Sequence, residues 1–121
     1  MLFRSVSDPW EVMVTGTRAF LDACDEPAVK QIALMDAPAV LGWREWRSID
    51  ERYGLGLMKA ALGGSIEAGV LRPDLPLDAL AHLMLGAISE AAFLIANADD
   101  PAAARAAAES ALFELLEGLR A

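Results

Sequence analysis

Apolar residues in this chain recur at three- and four-residue steps, the period of a helix rather than of a strand. Trp10, Met13, Thr17, Phe20, Leu21 and Cys24 share one face of a first segment. Asp8 is placed as its N-cap, Pro9 at the first position where no N–H is needed, and Glu11 as in a capping box. The spacing predicts a helix from there to about Cys24, after a short lead-in over Met1–Ser7. Gly16 and Thr17, both mediocre helix formers, sit mid-helix. Alone, the pair reads as a close-packing site for another helix, ahead of a space left for a ligand. Asp25-Glu26-Pro27 closes this helix and opens the next. Ala28–Met35 carries Val29, Ile32 and Ala33 on a helical face. Its β-branched content would suit a strand, but no partner strand exists elsewhere, so a short helix is read.

The next stretch gathers most of the aromatic character. Asp36 reads as a turn and N-cap, Pro38 as a first helical turn, and Gly42 as a bend before a longer helix over about Trp43–Ala68. On it Trp43, Trp46, Asp50, Tyr53, Leu57 and Ala61 line one face, while Arg44, Glu45, Arg47, Glu51 and Arg52 point mostly elsewhere. Aromatics with one polar tip each suit a core or a ligand cavity; burial statistics alone favour the core. Gly54 and Gly56 suggest a bend or a tight helix contact, and Gly69 a C-cap. Pro73 and Pro76 make Val70–Pro76 a loop.

Leu77–Ala96 is apolar nearly all round, which requires burial on most sides. Asp100 and Pro101 start a last helix to about Leu119, alanine-rich first and leucine-rich after. There is no internal repeat and no second domain over residues 1–121. The fold class expected is all-α, a bundle of about five to six helices, the last two forming a dimeric four-helix bundle.

Composition adds limits. The chain has 121 residues and 55% hydrophobic content, enough for a real core. Ten basic against 18 acidic residues give a net charge of −8. Such a surface repels phosphate backbones, so no nucleic acid is expected to bind this chain itself. One cysteine, Cys24, allows no internal disulfide and suggests a reducing, cytoplasmic setting. Asp78, His82 and Glu90 interrupt the most apolar segment short of a membrane span, and no membrane association is expected.

Catalytic chemistry is not evident. Gly63-Gly64-Ser65 lies within a helix and lacks the phosphate-loop lysine. One His and one Cys make no ordinary zinc site, so no metal and no cofactor are expected. Asp78, His82 and Ser89 stack along one helix without the sharp turn of a nucleophile elbow. Asp78 suits the helix N-terminus, His82 a half-exposed position, and Ser89 a bond to its own backbone one turn back. Glu90 is costly if buried ionised and unpaired. It reads either as a paired or solvated glutamate or as a ligand anchor.

The segment DAPAVLGWREWRSIDERYGLGL resembles the C-terminal regulatory region of TetR-like (tetracycline-repressor-like) transcriptional regulators. The similarity continues through AGVLRPDLPLDALAHLMLGAISEAAFLIANADDPAAARAA. It implies an all-helical, non-enzymatic domain that dimerises and binds a small effector. The family's DNA reader is an N-terminal helix-turn-helix, which this sequence does not contain. The alternative is a stand-alone helical dimerisation protein without a DNA reader. Together the aromatic stripe, the Gly16-Thr17 pair and Glu90 favour a cavity for a largely apolar effector. Its expected lining is Met13, Thr17, Phe20, Met35, Leu41, Trp43, Trp46, Tyr53, Ser89, Glu90 and Phe93. The homodimer is expected to pair through Leu80, Met84, Ile88, Ala104, Ala108, Leu112, Leu115, Leu116 and Leu119.

Overall fold

The computed structural model describes residues 8–121; the expected lead-in over residues 1–7 lies outside them. Local signals set most helix ends. α1 spans Pro9–Asp25, and the Asp8 carboxylate accepts from the Trp10 amide at 3.0 Å. Such a bond satisfies one of the donors a helix start leaves unpaired. α5 spans Pro101–Glu117 and is capped likewise, with Asp100 accepting from the Ala103 amide at 3.2 Å. α3 covers Trp43–Glu67 and α4 Leu77–Ala96.

Between α1 and α3 the chain departs from the expected turn. Pro27–Val29 is α-helical, Lys30–Asp36 is π-helical, and Ala37–Leu41 is α-helical again. We call this continuous run α2. Asp36 therefore caps nothing: its backbone is helical, and its carboxylate accepts from the Gln31 side chain at 2.8 Å. The physical reason is Pro38. Its ring crowds the carbonyl four residues back and its nitrogen has no proton to donate. A widened helix relieves the clash, and the Ala37 amide reaches back five residues to Ile32. Gly42, at φ +83°, then turns the chain into α3.

α3 ends in a Schellman pattern. Gly69 takes φ +78°, its amide bonds Ile66 at 3.0 Å, and the Val70 amide bonds Ser65 at 2.9 Å. The following loop is anchored rather than free. Leu71 is fully buried and pairs antiparallel with Arg120, and the Arg72 amide donates to the Leu119 carbonyl at 3.0 Å. Arg120 in turn lays its guanidinium 4.5 Å over the Trp10 ring. The last residues thereby tie the α3–α4 loop to the start of α1.

α4 is the central helix of this all-α bundle, packing against α1, α2, α3 and α5. That explains its apolar circumference. It is long enough and apolar enough to cross a membrane, with mean hydropathy 1.8, contrary to the expectation that no segment is. Here it serves as the core helix instead: Ala81, Met84, Leu85, Ile88, Ala91, Ala92 and Ile95 are buried. One core cluster joins Leu21, Leu34, Ile88 and Leu112, and a second joins Met13, Leu62, Leu71 and Leu116.

The dimer expectation needs correction at this level. Leu112 and Leu116 are 4% and 3% exposed, Met84 and Ile88 are buried, and Ala104 and Ala108 pack on the chain's own core. These side chains are already covered. Leu80 and Leu119 are half-buried against the second cluster. Leu115 does face out, at 56% exposure. α5 is apolar on nearly every side, so its sequence did not distinguish the inward face from its neighbour one residue on.

Candidate functional site

α1, α3 and α4 pack against one another but leave space among them. A cavity of about 420 Å³ lies among them, within the size range of small-molecule sites. α1 supplies Val12, Met13, Gly16, Thr17 and Phe20. α3 supplies Asp50, Gly54, Leu57, Met58, Ala61 and Leu62, and α4 supplies Met84, Leu85 and Ile88, with Leu116 of α5 at the base. Val12, Phe20 and Leu57 are exposed and form an apolar mouth. A second, larger groove of about 520 Å³ runs between α3 and the loop, but it is a shallow, solvent-open surface beside Lys59 and Glu67.

Glycines explain the shape. A Cβ on Gly16 would meet nothing within 4 Å, so this glycine leaves space and is not a packing contact, contrary to the packing reading. A Cβ on Gly54 would lie 2.9 Å from Leu85 Cδ1. Gly54 thus supplies the expected tight helix contact, letting Leu85 lean onto α3.

The polar end of the cavity is Asp50. Ser89, buried on α4, donates from Oγ to Asp50 Oδ2 at 2.8 Å, and Arg47 Nη1 approaches the same oxygen at 3.3 Å. Ser89 therefore bonds across helices, not back to its own helix as the sequence suggests. Arg47 also reaches Glu51 at 3.7 Å, and His82 Nδ1 lies 3.9 Å from that carboxylate. Arg47 lies flat on α4, where a Cβ at Gly86 would come within 2.8 Å of its Nη2. The field of Asp50 extends to Cys24: burial first, then the Asp50 charge, raises the thiol's pKa. Asp78 pairs with Lys59 at 3.3 Å. Asp78, His82 and Ser89 thus each meet a different side chain, Lys59, Glu51 and Asp50. Among the described residues, no group of three or more His, Cys, Asp or Glu side chains is placed to hold a metal.

The expected lining divides. Met13, Thr17 and Phe20 lie in the cavity wall. Ser89 reaches it only through Asp50. The aromatic stripe divides as well: Asp50, Leu57 and Ala61 line the cavity, while its three aromatic rings lie outside it. Trp43 is 56% exposed and Tyr53 72%, so the cavity is not walled by Trp43, Trp46 and Tyr53. Trp43 stacks on Trp46 at 5.4 Å between ring centres, and Phe93 meets Trp46 edge-on at 5.0 Å. Trp46 Nε1 donates to the Ala33 carbonyl at 2.9 Å. In the widened α2 the backbone donor for Ala33 would be residue 38, and Pro38 has none. The indole replaces it, which makes Trp46 a structural clamp on α2. Met35 and Leu41 on α2 are exposed and not in the cavity lining. Glu90 is exposed, one turn before solvent-facing Leu94 on the outer face of α4, where an ionised carboxylate needs no partner.

Asp50 is the polar cavity-lining residue that the expected lining does not include. It stands on the aromatic stripe one turn after Trp46, a lone carboxylate among apolar positions, and that was its available signal. Leu62, Leu85 and Met58 carried none, because an apolar residue reads alike in a core and in a cavity wall.

A family model described as the tetracyclin repressor-like, C-terminal domain matches residues 10–119. The crystal structure of a TetR-family transcriptional regulator from Pectobacterium atrosepticum is similar to this chain, with a TM-score of 0.79 and 35% sequence identity over 92% of the chain. The chain spans 56% of the length of that regulator. No match was found among curated proteins.

Proposed function

Because this chain belongs to the tetracycline-repressor-like C-terminal domain family, we propose that it is the effector-binding and dimerisation part of a transcriptional regulator. The observation that carries this reading is the 420 Å³ apolar cavity between α1, α3 and α4. A ligand there would replace empty space with contacts, and its apolar body would leave water, at about 25 cal/mol per Å² buried. Occupancy would hold α1 away from α3 and α4. Two positions of α1, unequally favoured by ligand, would then shift the separation of DNA-reading heads in a full regulator by population shift.

Dimerisation would use the outer faces of α4 and α5. Leu83 is 70% exposed, and Leu94 and Leu115 also stand in solvent. Pairing these faces with their copies would form a four-helix bundle across a two-fold axis, burying more than about 1,000 Å² in total. This revises the expected set to residues that the monomer leaves uncovered.

The test of the effector reading is thermal unfolding with a panel of small apolar compounds. A ligand at 100 times its Kd stabilises by about 2.7 kcal/mol. We expect at least one compound to raise the melting temperature of the natural chain and to do less for Gly16→Leu, whose side chain projects into the cavity. A compound that stabilises both alike binds elsewhere, and that result throughout the panel refutes the reading.

A further inference from the structure

We propose that the cavity takes an amphiphilic organic cation, a single alkyl chain or small ring carrying one protonated amine, with the amine on Asp50. The inference rests on the effector-binding reading and adds the ligand's chemical class. Of the side chains lining the cavity, only Asp50 and Thr17 are polar. A ligand must therefore be apolar over most of its surface and polar at one place. Asp50 is only 18% exposed, yet both its protein contacts, from Ser89 and Arg47, fall on Oδ2. Oδ1 is left without a partner among the described residues, an acceptor available beside an apolar space.

Charge selects among the heads that Oδ1 could accept. Asp50 and Glu51 share the one guanidinium of Arg47, so the group carries a net negative charge, with His82 only at the far side of Glu51. A fatty carboxylate would meet a like charge at low dielectric, which is unfavourable. An alcohol would donate one neutral hydrogen bond. An ammonium donates a charge-assisted bond and neutralises the excess, and a chain of net charge −8 raises its local concentration. Size limits the body: at the roughly 30 Å³ that a water occupies in liquid, the cavity holds about a dozen non-hydrogen atoms. The apolar mouth at Val12, Phe20 and Leu57 suits a chain entering lengthwise.

Calorimetric titration with decylamine, 1-decanol and decanoate, below their aggregation limits at neutral pH and 0.15 M salt, tests this with one chain and three heads. We expect decylammonium to bind about tenfold tighter than decanol, the step between charge-assisted and neutral hydrogen bonds, and decanoate to bind weakest. Asp50→Asn should keep the Ser89 and Arg47 contacts, leave decanol binding within about threefold and remove most of the amine's advantage. Should that variant misfold, Glu51→Gln, outside the lining, should reduce the advantage by about two- to fivefold. Gly16→Leu, whose side chain takes up part of the cavity, should weaken binding of all three, which separates the cavity from amines adsorbed on the acidic surface. Decanol or decanoate matching the amine, or an amine preference untouched by Asp50→Asn, overturns the cation inference while the effector reading stands. Amine binding that Gly16→Leu leaves unchanged overturns it equally. No binding by any of the three at millimolar concentration overturns both.

Discussion

Trp46→Phe tests whether the aromatic cluster clamps α2 or simply fills space. The indole donates to the Ala33 carbonyl at 2.9 Å, a normal hydrogen-bond length. Phe keeps a ring against Phe93 and so most of the aromatic pair, worth about 0.5–1.5 kcal/mol. It removes the donor. A made hydrogen bond contributes about 0.5–1.5 kcal/mol net, and an orphaned buried carbonyl costs about 1–3 kcal/mol. Trp46 is only half-buried, so water can partly replace it, and we expect a loss of about 1–1.5 kcal/mol. The informative variant is the double one. Pro38→Ala supplies a backbone N–H to Ala33 in either register: from residue 38 if the run stays π-helical, from Ala37 if it tightens to α. In that background Trp46→Phe should cost about 1 kcal/mol less. Urea unfolding of the four proteins at one fixed concentration reads the coupling, since about 1 kcal/mol moves a midpoint by roughly 0.5 M at ordinary slopes. Additivity within about 0.3–0.5 kcal/mol would refute the clamp, and Trp46 would then be packing only.

Gly16→Ala should raise stability by about 0.5–1 kcal/mol, because Cβ meets open space in a helix interior; a loss on thermal unfolding would mean that α1 packs there after all. Leu115→Asp with Leu83→Asp should lower the sedimenting mass while each protomer stays helical, whereas Leu116→Asp should unfold the chain itself; an unchanged mass in the first variant rules out that face as the interface. Glu109 makes acid stability testable: burial, the largest single influence, pushes its pKa up, but hydrogen bonds from Arg105 and Arg18 outweigh it and hold the carboxyl below its ordinary value. A depressed folded-state value means that this contribution is present above the unfolded carboxylate range, about 4.3, and is lost as pH falls through and below it. Glu109→Gln should flatten the fall of the melting temperature below that pH, and an unchanged slope would contradict the assignment. The isolated chain should show no tight, salt-sensitive binding to duplex DNA in a mobility-shift titration, given its net charge of −8.

Local chemistry determined the helix ends, because a cap acts within a few residues of itself. Asp8, Asp100, Gly42 and Gly69 could be read directly, and the structure uses each where a helix starts or stops. The all-round apolar character of Leu77–Ala96 likewise marked it as central before any packing was known. Pro38 reads as a helix start because a proline tolerates that position; whether the preceding turn breaks or widens depends on what else can satisfy the Ala33 carbonyl, and that donor is Trp46, thirteen residues away. The face of α5 could not be phased, since Leu112, Leu115 and Leu116 are equally apolar and only contact with α4 separates buried from exposed. The cavity was half legible. Gly16 and Thr17 signalled missing bulk on α1, but a sequence carries no record of which helix stands opposite. Tertiary packing set Trp43 and Trp46 against Phe93 and brought Ser89 from the facing helix to Asp50, so the carboxylate at the cavity is the one whose side chain packing enclosed, while Glu90 stands in water.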